Sequence, residues 1–243
     1  MNMDVILPQN TSGQIGMEGH ADQKLKTLYL LHGKSDDHTI WQRRTSIERY
    51  ATEYGIAVVM PAVHLSFYSN LPNGMRYWDY VSEELPGICR TFFPQLSAKR
   101  EDNFAAGLSM GGYGALKFGL LKNEQFGAVA SLSGALDIAL SVEDPAFANS
   151  KLFYQSVFGD MERFAGSPND LMAAAQKLHD TGGVKPKIYI WCGKQDFLYA
   201  QNISAKNKLR ALQFDVTYEE SDGDHQWKYW DDKIRRVLEW LPL

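Results

Sequence analysis

Five residues, Gly107-Leu108-Ser109-Met110-Gly111, set a serine between two glycines at the spacing G-x-S-x-G. Small residues two before and two after the serine allow a tight turn that a β-carbon would block, so the hydroxyl stands clear of the backbone. An apolar run, Phe104 to Ala106, precedes the turn, and a helix-forming run from Ala115 to Leu121 follows it. The pattern reads as a strand, a sharp turn and a helix start, with free N–H groups and the positive end of the helix dipole where an oxyanion would form. Serine is a poor nucleophile at neutral pH. It needs a base to take its proton, and the base needs a third group to hold its tautomer and stabilise its charge.

The chain has six histidines, of which only His179 and His225 follow Ser109. Where a serine sits on such an elbow, the acid and then the base come after it in the chain. His179 ends a helical stretch. His225 follows Asp222-Gly223-Asp224, between the last strand-like and the last helical run, and is the expected base. Asp196, in the loop at the end of the preceding strand-like run, is the expected acid; Asp222 and Asp224 are read as turn formers. A tetrahedral intermediate needs two N–H donors, each worth about 3 kcal/mol in kcat terms. Met110, directly after the serine, supplies one, and the backbone N–H of Lys34, after His32-Gly33, is expected to supply the other. Trp41, His64, Trp78 and Trp227 are candidate substrate-binding residues. No histidine, cysteine or carboxylate set has metal-ligand spacing, and there is no phosphate-binding glycine loop, so neither a metal nor a cofactor is expected.

These residues must be positioned by a sheet. Leu25 to Leu31, Ile56 to Met60, the run before Ser109, Gly127 to Ser133 and Lys187 to Cys192 read as buried strands, with Met3 to Leu7 and Val216 to Glu219 as further strands. Helical runs lie between them: Ile47 to Tyr54, Trp78 to Phe93 with Pro86 as a kink or a restart, Tyr199 to Leu212, and a last helix from Trp227 to Leu241. Gln9 to Gln23 and Ala62 to Tyr77 read as surface loops, the second with Phe67, Tyr68 and Tyr77 available to line a cleft. Gly134 to Val184, with helical pieces near Leu152 to Val157 and Asn169 to Leu178, reads as a helical insertion over the active-site end. Strands alternating with helices imply one α/β domain over residues 1–243, a mostly parallel sheet covered on both faces, as in the α/β-hydrolase fold.

The 243 residues carry a net charge of -4 and no basic tract, which argues against nucleic acid and for a small-molecule partner. No apolar run has transmembrane length, and the N-terminus lacks a basic region followed by an apolar core, so a cytoplasmic protein is expected without membrane association. The two cysteines, Cys89 and Cys192, suit free thiols in a reducing compartment.

Leu30-Leu31-His32-Gly33 with Asp37 and Trp41, Glu83 to Pro86, Gly107 to Leu116, Ser131 to Asp137 and Cys192 to Leu198 together resemble the tributyrin esterase branch of the esterase D group. That group includes S-formylglutathione hydrolases and relatives of the mycolyl transferases. The resemblance covers nearly the whole chain. It implies a serine carboxylesterase for short acyl esters, with Ser109, Asp196 and His225 as nucleophile, acid and base, and Lys34 and Met110 as oxyanion donors. Lys34 stands where relatives often carry an apolar residue. The chain also begins late, without an edge strand that relatives have, which leaves a homo-oligomer open. The alternatives are a thioesterase of the S-formylglutathione type and a silent scaffold that binds without catalysis.

Overall fold

The computed structural model describes residues 1–9, 24–142 and 149–243. The loop expected at Gln9 to Gln23 lies, from residue 10 onward, outside them. The apolar runs form a seven-stranded sheet: β1 (Met3–Ile6), β2 (Thr27–Leu31), β3 (Ala57–Pro61), β4 (Asn103–Leu108), β5 (Ala128–Leu132), β6 (Lys187–Gly193) and β7 (Val216–Ser221). Their order is β1-β3-β2-β4-β5-β6-β7; β1 runs antiparallel to β3, and the other neighbours are parallel. The inner strands β2 to β5 are wholly buried and the edge strands β1 and β7 only partly, the pattern of a sheet covered on both faces.

The helices are α1 (Ile40–Arg44), α2 (Ile47–Glu53), α3 (Tyr77–Asp79), α4 (Leu85–Phe92), α5 (Met110–Leu121), α6 (Ile138–Val142), α7 (Lys151–Phe158), α8 (Leu171–Asp180), α9 (Tyr199–Ala211) and α10 (Trp227–Trp240). Side-chain alternation divides them into two layers. Leu28 and Leu30 of β2 join a core with α1, α2 and α10, whereas Tyr29 and Leu31 join a second core with α4, α5, α8 and α9. The expected α/β-hydrolase architecture is therefore present. Among the described residues no helix is long and apolar enough to cross a membrane.

Two segments differ from the sequence reading. The stretch Ala62 to Tyr77, expected to be a surface loop, buries Val63, Phe67, Tyr68 and Ser69. Tyr68 packs on α5 at Gly114, where an added Cβ would come 2.5 Å from its ring. Gly114 thus makes room for a loop whose composition alone reads as solvated. The helix expected from Trp78 is interrupted by a π turn, Tyr80–Glu84, in which Leu85 N–H reaches back to Tyr80 O. That wide turn precedes Pro86, whose ring would otherwise meet the carbonyl four residues earlier.

Helix α5 starts so close to the end of β2 that a Cβ on Gly111 would overlap the Leu31 carbonyl and lie 2.8 Å from the His32 oxygen. These are backbone atoms of the central sheet and cannot yield as a side chain would. Gly111→Ala should therefore lower stability in urea unfolding by about 3 kcal/mol. An unchanged midpoint would show that the approach is looser than described.

Candidate active site

Ser109 is where β4 stops and α5 begins. Its backbone stands at φ 53°, ψ -116°, a strained conformation for a residue with a side chain. Three hydrogen bonds hold it: its N–H donates to Leu132 O (2.9 Å), and its carbonyl accepts from Tyr113 N–H (3.1 Å) and Ala135 N–H (3.3 Å). The serine itself stays partly exposed. Met110 opens the helix, so its N–H has no acceptor within α5 and lies at the positive end of the dipole.

Ser109, Asp196 and His225 follow the carboxyl ends of β4, β6 and β7, which are parallel, so all three leave the same edge of the sheet. The last two loops are laced together: Lys194 N–H donates to Ser221 O (2.9 Å) and Gln195 N–H to Gly223 O (2.9 Å). Asp196 has a fully buried carboxylate, with Oδ2 2.8 Å from His225 Nδ1 and Oδ1 accepting from Leu198 N–H at 2.8 Å. Burial pushes its pKa up, but the bonds from His225 and Leu198, the imidazole charge and the Ser133 hydroxyl outweigh burial and hold the carboxyl below its usual range. An ionised Asp196 keeps the proton of neutral His225 on Nδ1 and leaves Nε2 as the basic nitrogen. The ring sits between Phe197, 4.6 Å away by centroid, and Trp230, 4.8 Å away. His179 instead meets Lys185 Nζ at 2.9 Å on the helical segment.

His32 is buried at the end of β2. Its Nε2 accepts from Val63 N–H (3.0 Å), so its proton is on Nδ1, which donates to Gly33 O (2.8 Å). The Tyr68 hydroxyl donates to His32 O at 2.9 Å. These bonds fasten the loop that carries Lys34 to the turn after β3. The Lys34 side chain is exposed, with Nζ 3.9 Å above the Phe153 ring, and among the described residues no backbone acceptor is paired with its N–H.

A cavity of about 300 Å³ opens between His64, Leu65, Ser66 and Tyr77 on one side and Phe153 and Val157 of α7 on the other. Its size is at the small end for ligand sites. His64 Nδ1 is 2.9 Å from the Tyr77 hydroxyl. Of the other candidate binding residues, Trp41 is fully buried, donates to Leu31 O at 3.1 Å and meets Trp227 edge-on at 5.1 Å. Trp78 packs on Phe118 at 5.2 Å. Neither lines this cavity; both large rings pack within the helical layers. Trp227 packs against Trp230, the ring that meets His225.

Residues 1–241 match the family model described as putative esterase. The chain belongs to this esterase family. A curated acetyl esterase from Caldicellulosiruptor saccharolyticus is 37% identical over 242 residues, covering 97% of this chain and 90% of the relative. Among solved structures, the fluorophosphonate-binding serine hydrolase FphF of Staphylococcus aureus, with substrate bound, is 38% identical with a TM-score of 0.85, covering 98% of this chain and 91% of that one. The S-formylglutathione hydrolase FrmB of the same organism is 37% identical with a TM-score of 0.82, over 98% and 91% of the two chains. The protein is thus a serine carboxylesterase resembling the esterase D and S-formylglutathione hydrolase group.

Neither Ser133 nor Trp230 carries a local sequence signal that marks it for this site. Trp230 Nε1 donates to Ser133 Oγ at 3.3 Å, and Ser133 stands against the acid. Ser133, at φ 50°, ends its strand in a turn that no local spacing marks as special. The role of His32 was also missed, since His32-Gly33 signals only a strand end.

Burial draws the His32 pKa down to about 4. The unfolded chain, with an ordinary imidazole, therefore binds more protons between pH 6.5 and 4, so stability falls as pH is lowered through that window and is fully retained above it. Between pH 7 and 4.5 the esterase should lose about 2–3 kcal/mol more in urea unfolding than His32→Asn does. Equal losses in the two proteins would contradict a buried neutral ring.

Proposed function

We propose that this esterase hydrolyses short-chain acyl esters through an acyl-enzyme formed on Ser109. The observation that carries the reading is the 2.8 Å pair between His225 Nδ1 and the buried, ionised Asp196, at the same sheet edge as the strained serine turn. His225 takes the Ser109 proton as the hydroxyl attacks the ester carbonyl, and Asp196 stabilises the imidazolium that forms. The backbone N–H groups of Lys34 and Met110 hold the oxyanion. His225 then returns the proton to the departing alcohol, and water repeats the cycle on the acyl-enzyme.

The likeness to an acetyl esterase supports a small acyl group, and the cavity beside His64 and Phe153 has the size for the non-reacting part of such an ester. The substrate is a small molecule, and the net charge of -4 supports a role without nucleic acid. We read residues 1–243 as a single domain in which 134–184 is a helical segment over the site. The two free, buried cysteines support a cytoplasmic setting. Sizing in solution tests for a homo-oligomer. A second reading, thioester cleavage of the S-formylglutathione type, is supported by the likeness to FrmB, because the same triad serves both bonds.

Ser109→Ala should lower hydrolysis of p-nitrophenyl butyrate by a factor on the order of 10^4 to 10^6, and Asp196→Asn by on the order of 10^4. Activity near that of the unmodified protein in either variant would sink the assignment. The ratio of kcat/KM on butyryl esters to that on S-formylglutathione decides between ester and thioester.

A further inference from the structure

Lys117 lies on α5 about two turns beyond Ser109. It is fully buried, and among the described residues it pairs with no carboxylate. Its ammonium is held instead by three neutral acceptors from two segments. Tyr68 O (3.1 Å) and Ser69 Oγ (2.7 Å) belong to the loop after β3, and Asn169 Oδ1 (2.8 Å) to the turn before α8. The ring of Trp78 covers it at 4.8 Å and that of Tyr113 lies at 5.7 Å. Three acceptors match the three N–H groups of an ammonium, whereas a neutral amine offers only two. A buried cation without a countercharge is costly, and an apolar side chain of the same length would avoid that cost, so cohesion alone does not account for a lysine here.

One of the two segments that Lys117 joins leads to the cavity wall. Tyr68 and Ser69 follow directly on the turn His64 to Ser66, and Phe67 between them packs on Phe153, Tyr154 and Phe158 of α7 at 5.6 to 6.0 Å. The Tyr113 hydroxyl, one helical turn nearer Ser109, donates to Asn169 O at 2.7 Å.

We propose that Lys117, in its protonated form, is a positioning residue that clamps the two segments together and thereby sets how tightly the cavity holds the non-reacting part of the ester. This rests on the esterase reading above. Burial draws the Lys117 pKa down to about 7, so the third N–H is lost as pH rises through neutrality. The titratable groups around it do not offset this: Tyr113 is kept neutral by burial, and the Asp170 carboxylate is engaged by the N–H groups of Gly166, Met172 and Ala173.

The test measures KM and kcat for p-nitrophenyl butyrate from pH 6 to 9 in the unmodified esterase, Lys117→Met and Asn169→Ala. In the unmodified protein KM should rise about tenfold as pH passes 7, the scale of a lost charge-assisted bond, whereas in Lys117→Met it should be high and flat with kcat retained within a factor of about three. Asn169→Ala, which removes one acceptor and keeps the amine, should move the rise to lower pH. The proposal is overturned if KM follows one pH course in the unmodified protein and Lys117→Met. Should Lys117→Met fail to fold, an unshifted KM profile in Asn169→Ala overturns it equally. Failure of the esterase reading would show instead as absent hydrolysis by the unmodified protein or undiminished hydrolysis by Ser109→Ala.

Discussion

A serine held at φ 53°, ψ -116° is strained by about 1–3 kcal/mol, and the chain must pass through it to get from the central strand β4 into α5. The strain persists because the turn has nowhere else to go. Helix α5 is pressed against the Leu31 and His32 carbonyls at Gly111, and the serine N–H is bonded to the next strand at Leu132. The remaining parts are set out from this point along one sheet edge. The end of β2 carries Lys34 on one side, the end of β5 carries Ser133 on the other, and the β6 and β7 loops beyond bring Asp196 and His225.

Around the turn the protein buries three titratable groups by different means. Asp196 remains charged because donors surround it on every available oxygen. His32 remains neutral because one ring nitrogen accepts a backbone N–H and the other donates to a carbonyl, which makes it a rigid peg between two loops. Lys117 is left with neutral acceptors alone, so its charge is the least secure of the three. In the mechanism we propose, the first orients the base and the second fastens the loop that carries Lys34, while the third joins the loop after β3 to the turn before α8.

Much of this was legible in the residues. The buried strands announce themselves as apolar runs, and G-x-S-x-G between a strand and a helix allows few other conformations. Chain order then singles out Asp196 and His225, which the structure brings to 2.8 Å. The burial of the loop after β3 was not legible, because it depends on Gly114, on a helix far along the chain, receiving Tyr68. Nor could spacing show that Trp41 and Trp78 fill helical layers, or which side chains of the insertion expected over the active-site end, Phe153 and Val157 among them, face the cavity. Nothing in the spacing marks Lys117 within the helix-forming run; the two segments folding over it are what bury it.

On the proposed mechanism the folded turn, and not the serine as such, makes Ser109 reactive. Trypsin releases the residue on the peptide Glu101 to Lys117, so a fluorophosphonate adduct can be located by mass spectrometry in native and in urea-unfolded protein. A single adduct on Ser109 in the native protein, absent after unfolding, is the predicted result. An adduct on another residue, or labelling of Ser109 that survives unfolding at the same rate, would contradict it.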